Sequence, residues 1–137
     1  MLPPTPIRRR LDELLHRAHC PYSHFPVAVI IEDSSGTLFH GVNVESAAFP
    51  SGICAEKAAL AAAVGALGSR DLEITTVWIA TRTVVATPPC GSCRQILSEL
   101  APAATVQAWA TKGDAERSWT VPELLPDAFD LDVGRTP

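Results

Sequence analysis

Residues 54–67, CAEKAALAAAVGAL, are apolar on nearly every helical face. A helix with no polar side belongs inside a protein, so this one is expected to be buried rather than on the surface. Its first turn breaks the pattern. Glu56 and Lys57 stand two and three residues after Cys54, at the mouth of the apolar run. An acid at a helix N-terminus is favoured by the helix dipole, by a few tenths to ~1 kcal/mol. A second reading of the same residues is a metal ligand, Cys54, beside a general base, Glu56.

The other segments supply a frame for this helix. Ile7, Leu11, Leu14, Leu15 and Ala18 follow helical spacing and predict an amphipathic helix ending near Cys20-Pro21. VAVII (27–31) and TLFHGV (37–42) read as two strands joined by a tight turn at Gly36. ITTVWIAT (74–81) is a β-branched strand, TVQAWA (105–110) reads as another, and RSWTV (117–121) predicts a further one. Residues 93–100 form a short helix after the turn TPPCGSC. Thr120 and Glu123 have capping-box spacing around Pro122, so a last short helix runs through Leu124-Leu125. Helices alternate with strands, which predicts an α/β fold with one mixed sheet and helices on both faces. The 137 residues fit a single domain, 1–137, without repeats or linkers.

Composition narrows the function classes. Net charge is −4, whereas a nucleic-acid binder normally carries a basic footprint. Arg8-Arg9-Arg10 is the only basic cluster and is expected to solvate one face of the first helix. No segment reads as a secretory signal or a membrane span. A cytoplasmic chain is expected, with its four cysteines reduced. Cysteines at motif spacing then point to metal binding or catalysis.

Cys90 and Cys93 form a CxxC pair at the start of one predicted helix, and Cys54 opens another. Zinc takes four tetrahedral ligands, and a catalytic site leaves one position for water. Three thiolates and one Zn2+ sum to −1, which two helix N-termini, each about half a positive charge, would offset. Lys57, three residues past Cys54, and Arg94, next to Cys93, are candidate donors to the sulfurs. A redox pair or a structural zinc site are the alternatives for CxxC. The structural site requires a fourth ligand, for which Cys20 is the sequence's one spare cysteine; the other reading of Cys20 is a small packed residue. Glu56, close to the ion without ligating it, matches the acid/base glutamate of zinc deaminases.

With CPYSHFPVAV (20–29), GVNVESAAFP (41–50), CAEK (54–57), PCGSCRQIL (89–97) and VPELLPDAF (121–129) in order, the chain resembles the small, three-cysteine, homotetrameric cytidine deaminases. That resemblance implies a three-layer α/β/α fold with a central mixed five-stranded sheet. It implies zinc held by Cys54, Cys90 and Cys93, with Glu56 moving protons. Asn43 and Glu45 would bind the ribose 3′-hydroxyl, Phe25 would pack on the pyrimidine, and the Ala55 amide would bind the base carbonyl. Phe129 would reach into a neighbouring subunit's site. The expected partner is a small nucleoside, in pyrimidine salvage, with no nucleic-acid polymer and no membrane. The spacing of NVE supports the sugar contact, because Asn43 and Glu45 point the same way in an extended segment.

Four positions depart from that family's usual residues: Lys57 for Arg, Phe49 for Tyr, Ser46 for Asn and Ala28 for Gly. They leave the chemistry intact and open the substrate to a loosely read 5′ end or a modified nucleoside. A deaminase of a blasticidin S-like antibiotic shares CAE and PCGxCR, but NVE argues for a ribose. A non-catalytic zinc-stabilised binder would have no need of Glu56.

Overall fold

The computed structural model describes residues 1–131; the last six residues of the expected 1–137 domain lie outside the described residues. The elements run α1 (Thr5–Leu15), β1 (Val27–Asp33), β2 (Leu38–Val42), α2 (Ala55–Leu67), β3 (Ile74–Thr81), α3 (Gly91–Leu100), β4 (Thr105–Ala110), β5 (Ala115–Thr120) and α4 (Val121–Leu124). The strands form one five-stranded sheet in the order β2-β1-β3-β4-β5. Only β3 and β4 pair in parallel; the other three pairings are antiparallel. The parallel pair is the one whose connection contains a crossover helix, α3, as such pairs require.

Strand alternation sorts the core into two layers. Ala28, Ile30, Trp78, Ala80 and Trp109 face α1 and pack on its stripe of Ile7, Leu11, Leu14 and Leu15. Val29, Ile31, Val77, Ile79 and Val106 face the other way, against Ala59, Leu60 and Ala63 of α2 and Leu97 of α3. A one-residue slip in β1 or β3 would exchange these faces, so both layers hold the register. The buried polar edge of the α1 layer is satisfied by Trp78 Nε1 donating to Gln107 Oε1 at 3.0 Å.

Two elements differ from the sequence reading. The first helix stops at Leu15, short of Cys20, because His19 leaves the helix to pair with the segment after β2. His19 N donates to Asn43 O at 3.0 Å, and Glu45 N donates to His19 O at 2.8 Å. Helix α2 is not buried on all sides: Ala55, Glu56, Ala59, Leu60 and Ala63 are buried, while Ala61, Ala62, Gly65, Ala66 and Leu67 are exposed. The sheet offers one flat face, and alanines on the far side leave little apolar surface behind. The start of α4 behaves as its spacing predicts. Thr120 N donates to Glu123 Oε2 at 2.7 Å and Glu123 N donates back to Thr120 Oγ1 at 3.4 Å, closing a capping box.

The seat of α2 on the sheet depends on one residue. A Cβ placed on Gly41 in β2 would lie 2.5 Å from both the Ala55 carbonyl oxygen and the Ala59 nitrogen. Both obstacles are backbone, so they cannot swing aside. Gly41→Ala is expected to lower unfolding free energy by about 1–3 kcal/mol or more through overpacking, read from urea denaturation. An unchanged midpoint would mean that α2 can ride up on its strand without loss.

Candidate active site

The first turns of α2 and α3 bring the site together. Cys54 is the N-cap of α2 and Cys90 the N-cap of α3. Both residues have extended backbone and lead straight into a helix whose first N–H groups have no partner within the helix. Cys93 lies one turn into α3 and is fully buried. The three sulfurs lie within 4.8 Å of one another. Cys54 and Cys90 Sγ are 4.0 Å apart. Zn–S bonds of ≈ 2.3 Å in a tetrahedron place sulfurs about 3.8 Å apart, so the spacing and the soft donor set both fit zinc. Among the described residues no fourth histidine, cysteine or carboxylate joins the group. Cys20, the candidate fourth ligand, is a separate free cysteine whose carbonyl accepts from His24 N at 3.0 Å.

Burial sets the electrostatics of the cluster. It pushes the Cys54 and Cys93 thiols above their ordinary values, with the Glu56 charge adding to the effect. At Cys90 burial also pushes upward, but the Cys93 N–H and the neighbouring thiols outweigh it and hold the group below its usual range. Glu56 is 5% exposed. Burial raises its carboxyl, against opposing contributions from its own backbone N–H, Cys93 and Lys57. A cation among the sulfurs is the natural complement of this arrangement, since a coordinated thiol loses its proton.

The two cations suggested as donors to the sulfurs make their hydrogen bonds elsewhere. Lys57 Nζ donates to Ser92 Oγ at 2.6 Å, linking the first turns of α2 and α3. Arg94 Nε donates to Pro89 O at 2.9 Å and its Nη1 to Leu124 O at 3.1 Å. Arg94 therefore braces the loop before Cys90 against the end of α4. Its adjacency to Cys93 in sequence gave no hint of this, because consecutive helical residues point about 100° apart.

A cavity of about 200 Å³ opens beside the cluster, and Phe25, Asn43, Cys54, Ala55, Glu56 and Cys90 all contribute to its wall. A second cavity of about 540 Å³ shares Asn43 and Cys54 with it and adds Tyr22, Glu45, Ser46 and Phe49. Together they reach the roughly 300–1,000 Å³ of small-molecule sites. Phe129 lies apart from both walls, 68% exposed, its carbonyl accepting from Gln95 Nε2 at 2.8 Å. Of the four unusual residues, Ser46 and Phe49 face the second cavity, whereas Ala28 is buried under α1 on the far side of the sheet. Ala28 is thereby removed from any contact with a ligand in either cavity.

Asn43 and Glu45 do more than line the cavities. Asn43 Oδ1 accepts from Val27 N at 2.8 Å, and its Nδ2 donates to Phe25 O at 2.9 Å. Glu45 Oε1 accepts from Tyr22 N and Ser23 N, each at 3.0 Å. The Ser23 side chain, then the Ser23 and Tyr22 N–H groups, hold the Glu45 carboxyl below its usual range. Each side chain keeps spare capacity, a second amide hydrogen and a second carboxylate oxygen. Sequence reasoning missed Thr81 and Thr87, which also line the smaller cavity. Thr81 was open to detection, since alternation along β3 puts it on the same face as Val77 and Ile79.

An α/β sheet that gathers three sulfurs for one metal ion beside a buried carboxyl defines a metal-site protein of the zinc deaminase class. Comparison with known proteins narrows this further. Residues 7–109 match the family model described as the cytidine and deoxycytidylate deaminase zinc-binding region. A cytidine deaminase of Halalkalibacterium halodurans is 41% identical over 113 residues, covering 82% of this chain and 83% of the relative. One from Mycoplasma pneumoniae is 32% identical over 123 residues, covering 90% and 91%. The crystal structure of cytidine deaminase from Burkholderia pseudomallei superposes with a TM-score of 0.82 at 31% identity, covering 93% of this chain and all of that one. The chain belongs to the cytidine and deoxycytidylate deaminase family.

The geometry makes a direct prediction for metal content. Purified protein is expected to carry about one zinc per chain, and Cys90→Ser or Cys93→Ser to lose most of it, by elemental analysis after dialysis. Cys20→Ser should retain the metal in full; loss there would bring a fourth sulfur into the site.

Proposed function

We propose that the chain catalyses hydrolytic deamination of cytidine or deoxycytidine to the uridine product and ammonia. The observation that carries this reading is a single cavity wall shared by Cys54, Cys90, the buried Glu56, Phe25 and Asn43. Cys54, Cys90 and Cys93 hold zinc, which when bound acts as a Lewis acid and lowers the pKa of water. Glu56 takes a proton from the attacking water and delivers it to ring N3 as oxygen adds to C4. It then carries the proton of the new C4 hydroxyl to the amine, the C4–N bond breaks, ammonia leaves and the oxygen remains as the C4 carbonyl. Ala55 offers its backbone N–H to the base carbonyl, and Phe25 packs on the ring. Asn43 and Glu45 bind the sugar 3′-hydroxyl with the capacity their loop bonds leave free.

Glu56→Gln is expected to keep its zinc and lose at least about 10²-fold in kcat, the low end for a general acid–base. Loss of absorbance from cytidine together with ammonia release measures it. Ordinary turnover by the zinc-replete variant would remove Glu56 from the reaction.

A second reading concerns the 5′ side of the substrate. Phe49, 74% exposed, packs edge-on to Tyr22 with ring centroids 5.7 Å apart, and it brings no hydroxyl to the larger cavity. This favours loose reading of the 5′ end or a modified nucleoside. A panel of cytidine and analogues assayed side by side tests it, and an exclusive preference for unmodified cytidine counts against it.

The working unit is a single 1–137 domain assembled as a homotetramer with shared sites, acting in the cytoplasm in pyrimidine salvage. Exposed apolar side chains support assembly: Val84 at 65%, Val85 at 73% and Phe129 at 68%, besides the outer alanines of α2. No helix among the described residues is long and apolar enough to cross a membrane. Light scattering should give four chains per particle, and Phe129→Ala should raise KM about tenfold if the ring completes a neighbour's site, as for one lost packing contact. A monomer with full activity would overturn the shared site.

A further inference from the structure

Two hydroxyls on the cavity wall take no part in the chemistry above. Thr81, the last residue of β3, is 2% exposed, and Thr87 stands on the loop that leads to Cys90. Both line the cavity that holds Glu56 and Cys54. Their hydrogen bonds fix where their protons lie. Thr83 Oγ1 donates to the Val85 carbonyl at 2.8 Å, and a carbonyl only accepts. A hydroxyl has one proton to give. The 2.6 Å contact between the Thr81 and Thr83 hydroxyls is therefore donated by Thr81. Thr87 Oγ1 also donates to the Val85 carbonyl, at 3.4 Å. One carbonyl thus draws the protons of both wall hydroxyls, directly or through Thr83. What remains to each is lone pairs.

We propose that Thr81, seconded by Thr87, is a specificity-determining acceptor that favours an amino-bearing pyrimidine over its oxo product. The inference rests on the cytidine reading. Cytosine presents N–H donors at C4, where uracil presents a carbonyl oxygen. An acceptor whose own proton is committed elsewhere pairs with the first and opposes the second. Such a site rejects a ligand by leaving buried polar groups unpaired, which discriminates far more sharply than apolar packing does. Asn43 is committed elsewhere: its Oδ1 and one amide hydrogen bind the Phe25–Val27 backbone, and the hydrogen left over is assigned to the sugar. The wall therefore holds the substrate and helps to expel the product of the same reaction.

Steady-state kinetics with uridine as competitive inhibitor tests this on zinc-replete enzyme. Thr81→Val keeps the shape and removes the acceptor. It is expected to lower kcat/KM for cytidine about tenfold, the scale of one hydrogen bond, while uridine inhibits at least as strongly as before. Thr81→Ser should restore the discrimination. Thr83→Val frees the Thr81 proton to turn toward the cavity, so uridine inhibition should tighten several-fold. A merely structural role predicts equal loss for both ligands. Parallel weakening in Thr81→Val, or no tightening in Thr83→Val, overturns the proposal. The second variant decides alone if the first does not fold. Wild-type protein that leaves cytidine unchanged would sink the deaminase reading itself. Wild-type activity with an unmoved substrate-to-product ratio in the variants would sink only the acceptor wall.

Discussion

The N-terminus of α2 rests on strand β2 with backbone against backbone at Gly41, and the site is built from that contact. Cys54, Ala55 and Glu56 all belong to the turn that touches the strand. Any side chain at position 41 would lift this turn off the sheet. It would carry one sulfur and the carboxyl away from the two sulfurs of α3. A single close approach thus fixes both the packing of the longest helix and the geometry of the proposed metal centre. The exact fit is possible because the obstacles are main-chain atoms with fixed positions.

Two helix N-termini meeting at one point also answer the charge problem that three thiolates pose. Each N-terminus carries about half a positive charge, and at Cys90 the Cys93 N–H of α3, together with the neighbouring thiols, outweighs burial and holds the group below its usual range. The neighbouring cations act by bracing. Lys57 joins the two first turns through Ser92, and Arg94 joins the loop before Cys90 to the C-terminal end of α4. The segment carrying Phe129 is fastened to the same helix through Gln95. Helix α3 is therefore a shared anchor for the metal ligands and for the segment that carries Phe129.

The sheet, both helical layers and the cysteine trio were legible in the sequence, because each has a local signature. The short β-branched apolar runs VAVII and ITTVWIAT, the CxxC spacing and the Thr120–Glu123 cap are all short-range patterns. What was illegible depends on contacts far apart in the chain. The early end of α1 follows from His19 pairing with Val44, which no helical propensity encodes. The apolar outer face of α2 looked like core, yet a composition cannot say whether one chain or several will cover it. Arg94 looked like a thiolate partner by adjacency, and its carbonyl partner at Leu124 is 30 residues away. In the same way, the Thr81–Thr83–Val85 chain depends on rotamers that sequence does not state.

The bonds from Asn43 and Glu45 to the backbone of residues 22–27 tie two recognition tasks into one mechanical unit. The side chains suited to a sugar are also the pegs on which the aromatic loop hangs. Substitutions at Asn43, Glu45 and Phe25 should then show strong epistasis, with a double change costing much less than the two single changes combined. Directed evolution toward an altered sugar would have to redesign the loop as a block, exchanging residues 22–27 together with 43–45, rather than walk there one position at a time.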